Sequence, residues 1–154
     1  MKRSLLAASL FAATQLATGC QTEADVRPST YDTLALETGH WEWDGTGYQK
    51  SRRTPATEGF TRQLVFTAGG DIVITHNGQP NKKTPYVLSM GTLPACTSGQ
   101  AVPIITFETD SDVPNNDRKT YYVSTSGTNQ QLLLTGEAAC VDAGAYETYH
   151  WVKE

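Results

Sequence analysis

From residue 39 onward, apolar positions recur at every second residue in short runs separated by glycine, proline and asparagine. Such alternation predicts strands, because successive strand side chains point to opposite faces. The first run, Gly39-His40-Trp41-Glu42-Trp43, places Trp41 and Trp43 on one face and His40 and Glu42 on the other. Two neighbouring indoles need a broad dry surface, so later strands must enclose that face. This run covers 39–48 and ends in Gly45-Thr46-Gly47, and the loop over 49–58 carries Pro55. In 60–67, Phe60, Leu64 and Phe66 share a face. Ala68-Gly69-Gly70-Asp71 is a turn signal, 72–75 is β-branched throughout, and Asn77-Gly78 is a strong turn dipeptide.

The run over 84–90 aligns Tyr86, Leu88 and Met90, and Pro85 near its start predicts an edge or first-residue position. In 102–108, Ile104, Ile105 and Phe107 predict burial on both faces over part of the strand. Runs at 119–125, 130–135 and 146–153 complete the series, and no amphipathic helix interrupts it. Eight short strands with consecutive turns predict an all-β fold, an eight-stranded antiparallel up-and-down barrel that closes to remove its edges. A β-sandwich is the alternative, since local patterning is the same in both.

The chain has 154 residues, enough for one domain. Residues 1–19 read as a signal peptide: Lys2 and Arg3 supply the positive start, and 5–13 is an apolar run too short to span a bilayer. Leu16-Ala17-Thr18-Gly19-Cys20 resembles a bacterial lipobox, which implies lipidation of Cys20 as the new N-terminus. Residues 20–38 read as the lipidated N-terminus and a polar, flexible tether, in which 33–37 can form one helical turn over the barrel mouth. The barrel domain is expected over 39–154. Gln21, where some lipoproteins carry Asp, implies sorting to the outer membrane under the enterobacterial rule. Glu23 and Asp25 resemble the acidic surface-export signal of other lipoproteins, so the face is left open.

The order of features after Gly39 resembles the small lipocalin-like domains of bacterial lipoproteins. The resemblance rests on the G-x-W strand, Thr-Pro-Ala-Thr-x-Gly at 54–59, LVFTAGGDIVI at 64–74, a late cysteine before Asp-x-Gly at 142–144, and a Tyr-rich last strand. It implies a barrel that holds a small ligand and a late cation packed on the first-strand Trp, for which Lys153 and His150 are the candidates. The C-terminal helix of lipocalins has no counterpart here.

Charge and cysteine content narrow the function. The formal net charge is −4, and removing Lys2 and Arg3 with the signal peptide makes it about −6, which argues against nucleic acid or an anionic lipid surface as partner. The membrane is then reached through the lipid on Cys20. Of three cysteines, lipidation of Cys20 leaves Cys96 and Cys140 as a disulfide pair in an oxidising compartment. His40, His76 and His150 lack metal-ligand spacing, and no nucleophile or phosphate-loop motif occurs. Asp110 and Asp112 sit in a polar loop without the environment of a general acid. No metal, cofactor or enzymatic activity is therefore expected. Lys50, Arg52 and Arg53 form a basic cluster able to meet a carboxylate. Trp41, Trp43, Arg52, Arg53, Phe60 and Tyr86 are the expected ligand-binding residues, for a small apolar or amphipathic molecule in the cell envelope. The alternative is a structural or interaction lipoprotein with a filled barrel, whose partner is another envelope protein.

Overall fold

The computed structural model describes residues 34, 38–48, 51–93, 97–109, 117–141 and 145–154, and nine strands lie among these described residues. They are β1 (Gly39–Gly47), β2 (Arg52–Arg53), β3 (Arg62–Phe66), β4 (Asp71–His76), β5 (Gln79–Gly91), β6 (Val102–Phe107), β7 (Arg118–Ser126), β8 (Asn129–Gly136) and β9 (Tyr146–Lys153). Each strand from β3 to β9 pairs antiparallel with the next, and β1 pairs with both β3 and β9. The result is the expected closed eight-stranded up-and-down barrel with β2 as one extra short strand, not a sandwich. Helical structure among the described residues is limited to Leu34, α1 (Pro55–Glu58), Thr97 and a 3-10 turn over Glu137–Val141.

The inner face follows the alternation. Trp41, Trp43, Leu64, Phe66, Ile72, Ile74, Tyr86, Ile105, Phe107, Tyr121, Leu132, Leu134 and Tyr149 are buried in one cluster. Leu34, five residues before β1 in the stretch expected to be a tether, is buried in that cluster too. Aromatic edges fix the packing: Trp41 meets Trp151 with centroids 5.2 Å apart, and Phe66 meets Tyr86 at the same distance. Ile104 is fully buried although it lies outside the main cluster, so β6 is covered on both faces as its sequence implies.

Three expectations are corrected. β5 begins at Gln79, not Thr84, because Gln79–Pro85 pair with β4 and Tyr86–Gly91 pair with β6. Pro85 is therefore internal rather than at an edge, and its missing N–H falls where the strand changes partner. Met90, expected to point inward with Tyr86 and Leu88, is 54% exposed near the end of β5. The cation on a first-strand Trp comes from neither Lys153 nor His150 but from Arg62, whose guanidinium lies 4.8 Å over Trp43. Residues 1–33, with the signal peptide and Cys20, lie outside the described residues, as do Lys50, Cys96, Asp110 and Asp112.

β1 contains one irregularity that organises both faces. Its register with β9 shifts between Trp43 and Gly45, leaving Asp44 as the extra residue of a bulge. The shift changes parity, so Thr46 rather than Gly45 follows Trp43 on the inner face. The Trp43 indole N–H donates to Thr46 Oγ1 at 3.0 Å, which satisfies a buried donor.

Candidate functional site

The interior of the barrel is not wholly apolar. Arg62 on β3, Lys119 on β7 and Glu147 on β9 all occupy inward positions of the alternation, and they meet. Lys119 Nζ bonds Glu147 Oε1, Arg62 Nη2 donates to Glu147 Oε2 at 3.0 Å, and the Tyr149 hydroxyl donates to the same oxygen at 2.7 Å. Lys119 and Glu147 are both buried. Aromatic rings surround the cations, with Arg62 also 5.6 Å over Tyr149 and Lys119 5.6 Å over Phe107. Burial alone would raise the Glu147 carboxyl. The Lys119 and Arg62 charges, with the hydrogen bonds from Lys119 and Tyr149, outweigh it and lower the group from 4.5 to about 2.

This arrangement separates the expected ligand-binding residues. Trp41, Trp43 and Tyr86 are core residues, the Tyr86 hydroxyl bonded to Thr67 O at 3.0 Å. Phe60 stacks on Trp43 with centroids 5.9 Å apart and packs against the core. Arg52 and Arg53 instead lie outside, on exposed β2. The six residues therefore do not converge on one cavity.

Arg52 and Arg53 are held by the Thr-Pro-Ala-Thr-Glu-Gly stretch, which folds as a capped turn of helix. Thr54 and Thr57 cap each other reciprocally, Pro55 opens α1, and Gly59 closes it at φ 76°. β2 then pairs with the end of β1, Thr46 opposite Arg53 and Gly47 opposite Arg52. Gly45 allows this approach, since a Cβ there would lie 2.8 Å from Arg53 O. Arg53 faces the Tyr48 ring at 5.3 Å and Glu58 at 3.9 Å. Arg52 has no ion-pair partner among the described residues, and its guanidinium lies along Gly45.

Beside Arg52, a depression of about 720 Å³ runs over the outer face of β7, β8, β9 and β1. Tyr122, Leu133, Thr148, Gln131 and Asp44 line it with Arg52. Asp44 Oδ1 lies 2.6 Å from His150 Nδ1, and Thr148 Oγ1 donates to Gly45 O at 3.3 Å. A second depression of about 560 Å³ lies on the other side of Tyr122, between Thr97, Gln100, Thr120, Thr135 and Cys140. Sequence reasoning found Arg52 but missed Tyr122, Thr148 and Asp44, because outward polar residues on strands look alike until the register is known. Among the described residues, no three His, Cys, Asp or Glu side chains come together to hold a metal ion.

The Glu147 cluster has a pH signature. A carboxyl at about 2 in the folded chain and near 4.5 when unfolded stabilises the fold above pH 5, and that contribution is lost as pH falls from 5 towards 2. Its size is on the order of 3 kcal/mol. Urea unfolding across this range should show the loss in wild type and a flatter profile in Glu147→Gln. That variant also leaves the Lys119 ammonium buried without its carboxylate, at a cost of about 3–5 kcal/mol near neutral pH. Lys119→Met should cost less, because Arg62 and Tyr149 still hold Glu147. Equal losses in the two variants would show that the cluster does not act through Glu147.

Compared with protein-family models, with curated proteins and with solved structures, the chain finds no match in any of the three.

Proposed function

We propose that this chain is a lipid-anchored protein of the bacterial cell envelope, sorted to the outer membrane, with a lipocalin-like barrel that serves as a filled scaffold. Its outer face, rather than its interior, meets the partner. The observation that carries this reading is the occupied interior: Trp41, Trp43, Phe66, Tyr86 and Tyr149 fill it together with the Lys119–Glu147–Arg62 cluster. An eight-stranded barrel is only wide enough to be filled by side chains or to hold one small ligand. Here large aromatic side chains and an ion cluster crowd the inward face, which favours the filled barrel of the two functional readings. Anchoring is through Cys20, because Leu16-Ala17-Thr18-Gly19 before it resembles a lipobox.

The proposal includes a Cys96–Cys140 disulfide. Its support is that Cys140 is a half-cystine rather than a titratable thiol. Thr97, the residue after Cys96, also lines the same depression as Cys140. Such a bridge ties the loop after β5 to the 3-10 turn after β8 and closes a long loop, worth roughly 4 kcal/mol in the chain-entropy treatment.

Three measurements test these points. Metabolic labelling with an alkyne fatty acid should mark the wild type and not Cys20→Ser; label retained in the variant would remove the anchor. Non-reducing peptide mapping of envelope-derived protein should yield one peptide pair joining Cys96 to Cys140, and two free thiols would refute the bridge. Tryptophan emission should stay unchanged when fatty acids, isoprenoids and aromatic acids are titrated in. A saturable shift would return the interior to the role of ligand site.

A further inference from the structure

The register of four strands builds a row on the outer face. Tyr122 on β7 lies opposite Leu133 on β8, Leu133 opposite Thr148 on β9, and Thr148 opposite Gly45 on β1. Adjacent strands are about 4.8 Å apart, so the row is roughly 15 Å long. At the Gly45 end lies the Arg52 guanidinium, its Nε 3.1 Å and Nη2 3.5 Å from where a Cβ would stand. At the other end is the Tyr122 ring, 65% exposed. Between them the depression of about 720 Å³ offers the Thr148 hydroxyl, the Gln131 amide and the Asp44 carboxylate, which His150 already orients.

These groups define a ligand class. Arg52 presents a planar fork that matches a carboxylate, and it has no ion pair among the described residues. Tyr122 presents an open aromatic face suited to the C–H face of a saturated ring. The polar groups between them need hydrogen-bonding partners, so a hydrocarbon chain would strip water from Thr148, Gln131 and Asp44 without replacing it. A polyanion would meet Asp44 and a chain of net charge −4. An extended peptide docks on a sheet edge through main-chain bonds, whereas this row lies on a sheet face whose main chain is already paired. What remains is a ring with many hydroxyls and one acidic group.

We propose that this outer groove is a carbohydrate-binding site for an acidic sugar, with its carboxylate on Arg52, a ring on Tyr122, and hydroxyls on Asp44, Gln131 and Thr148. The proposal rests on the reading of the barrel as filled, and it gives that reading's outer face a specific ligand chemistry.

The test is titration of the full chain in detergent micelles with glucuronosyl-xylobiose, a trisaccharide with a single carboxylate, followed by calorimetry and amide chemical shifts. The expected result is saturable binding, with shifts at Tyr122, Leu133, Thr148 and Gly45. The methyl ester of the same trisaccharide should bind about tenfold more weakly or worse, the loss of one charge-assisted hydrogen bond. Arg52→Ala and Tyr122→Ala should each weaken binding by about the same factor, whereas Arg53→Ala, whose guanidinium is engaged with Tyr48 and Glu58, should not. Should a variant melt early, the ester comparison on the wild type decides alone. Equal binding of the ester would overturn the carboxylate assignment, and equal binding of glutarate would overturn the sugar. Silence at every amide would overturn the site and leave the filled barrel intact. Shifts centred on the Trp41 and Trp43 indoles would overturn both.

Discussion

The Glu147 carboxylate is the point on which the interior depends. It gathers Arg62 from β3, Lys119 from β7 and Tyr149 from its own strand, and so links three parts of the closed sheet through the centre of the barrel. A buried ion pair is often no more stabilising than apolar residues of equal volume, because desolvation offsets much of the attraction. Its effect here is better understood as register control. A one-residue slip of β9 against β8 would turn Glu147 outward and leave Lys119 buried with no counter-charge. A two-residue slip keeps every side chain on its own face and costs an apolar core little, but here it would carry Glu147 past Lys119 and Arg62.

Much of the architecture was legible because alternation is a local property. Trp41 and Trp43, Leu64 and Phe66, and Ile104 beside Ile105 all occupy the faces their spacing predicts. Closure followed from the absence of helices and from the cost of open edges. The errors have identifiable physical causes. Pro85 misled because a proline is unfavourable in a ladder, yet β5 passes from one partner to another at that residue. Met90 misled because alternation predicts the side of the sheet but not where the enclosed part of the strand ends.

The ion cluster was missed although its signal was present. Arg62 stands two residues before Leu64, Lys119 two before Tyr121 and Glu147 two before Tyr149, each in step with a buried neighbour. A single charge at an inward position is easily read as a frayed strand end. Three such charges of complementary sign on separate strands carry more information, because each would be costly alone and only their meeting makes the set tolerable. The cation over the first-strand Trp illustrates the same point. Proximity in sequence to the last strand favoured Lys153 or His150, while the barrel brings Arg62 there from the third strand.

The bulge at Asp44 connects the interior with the outer surface. By adding one residue to β1, it keeps Trp43 and Thr46 on the inner face and places Gly45 outward, opposite Thr148. Gly45 then lets β2 lie close enough for Arg52 to rest on the sheet, and Asp44 reaches His150. Without that extra residue, the inward hydroxyl would be lost to the Trp43 indole and the outward glycine would turn into the core. The outward Arg52 guanidinium and the buried tryptophan are thus consequences of the same irregularity. A barrel whose interior is committed to its own side chains can still present varied chemistry, provided its strands are irregular where short elements pack against them.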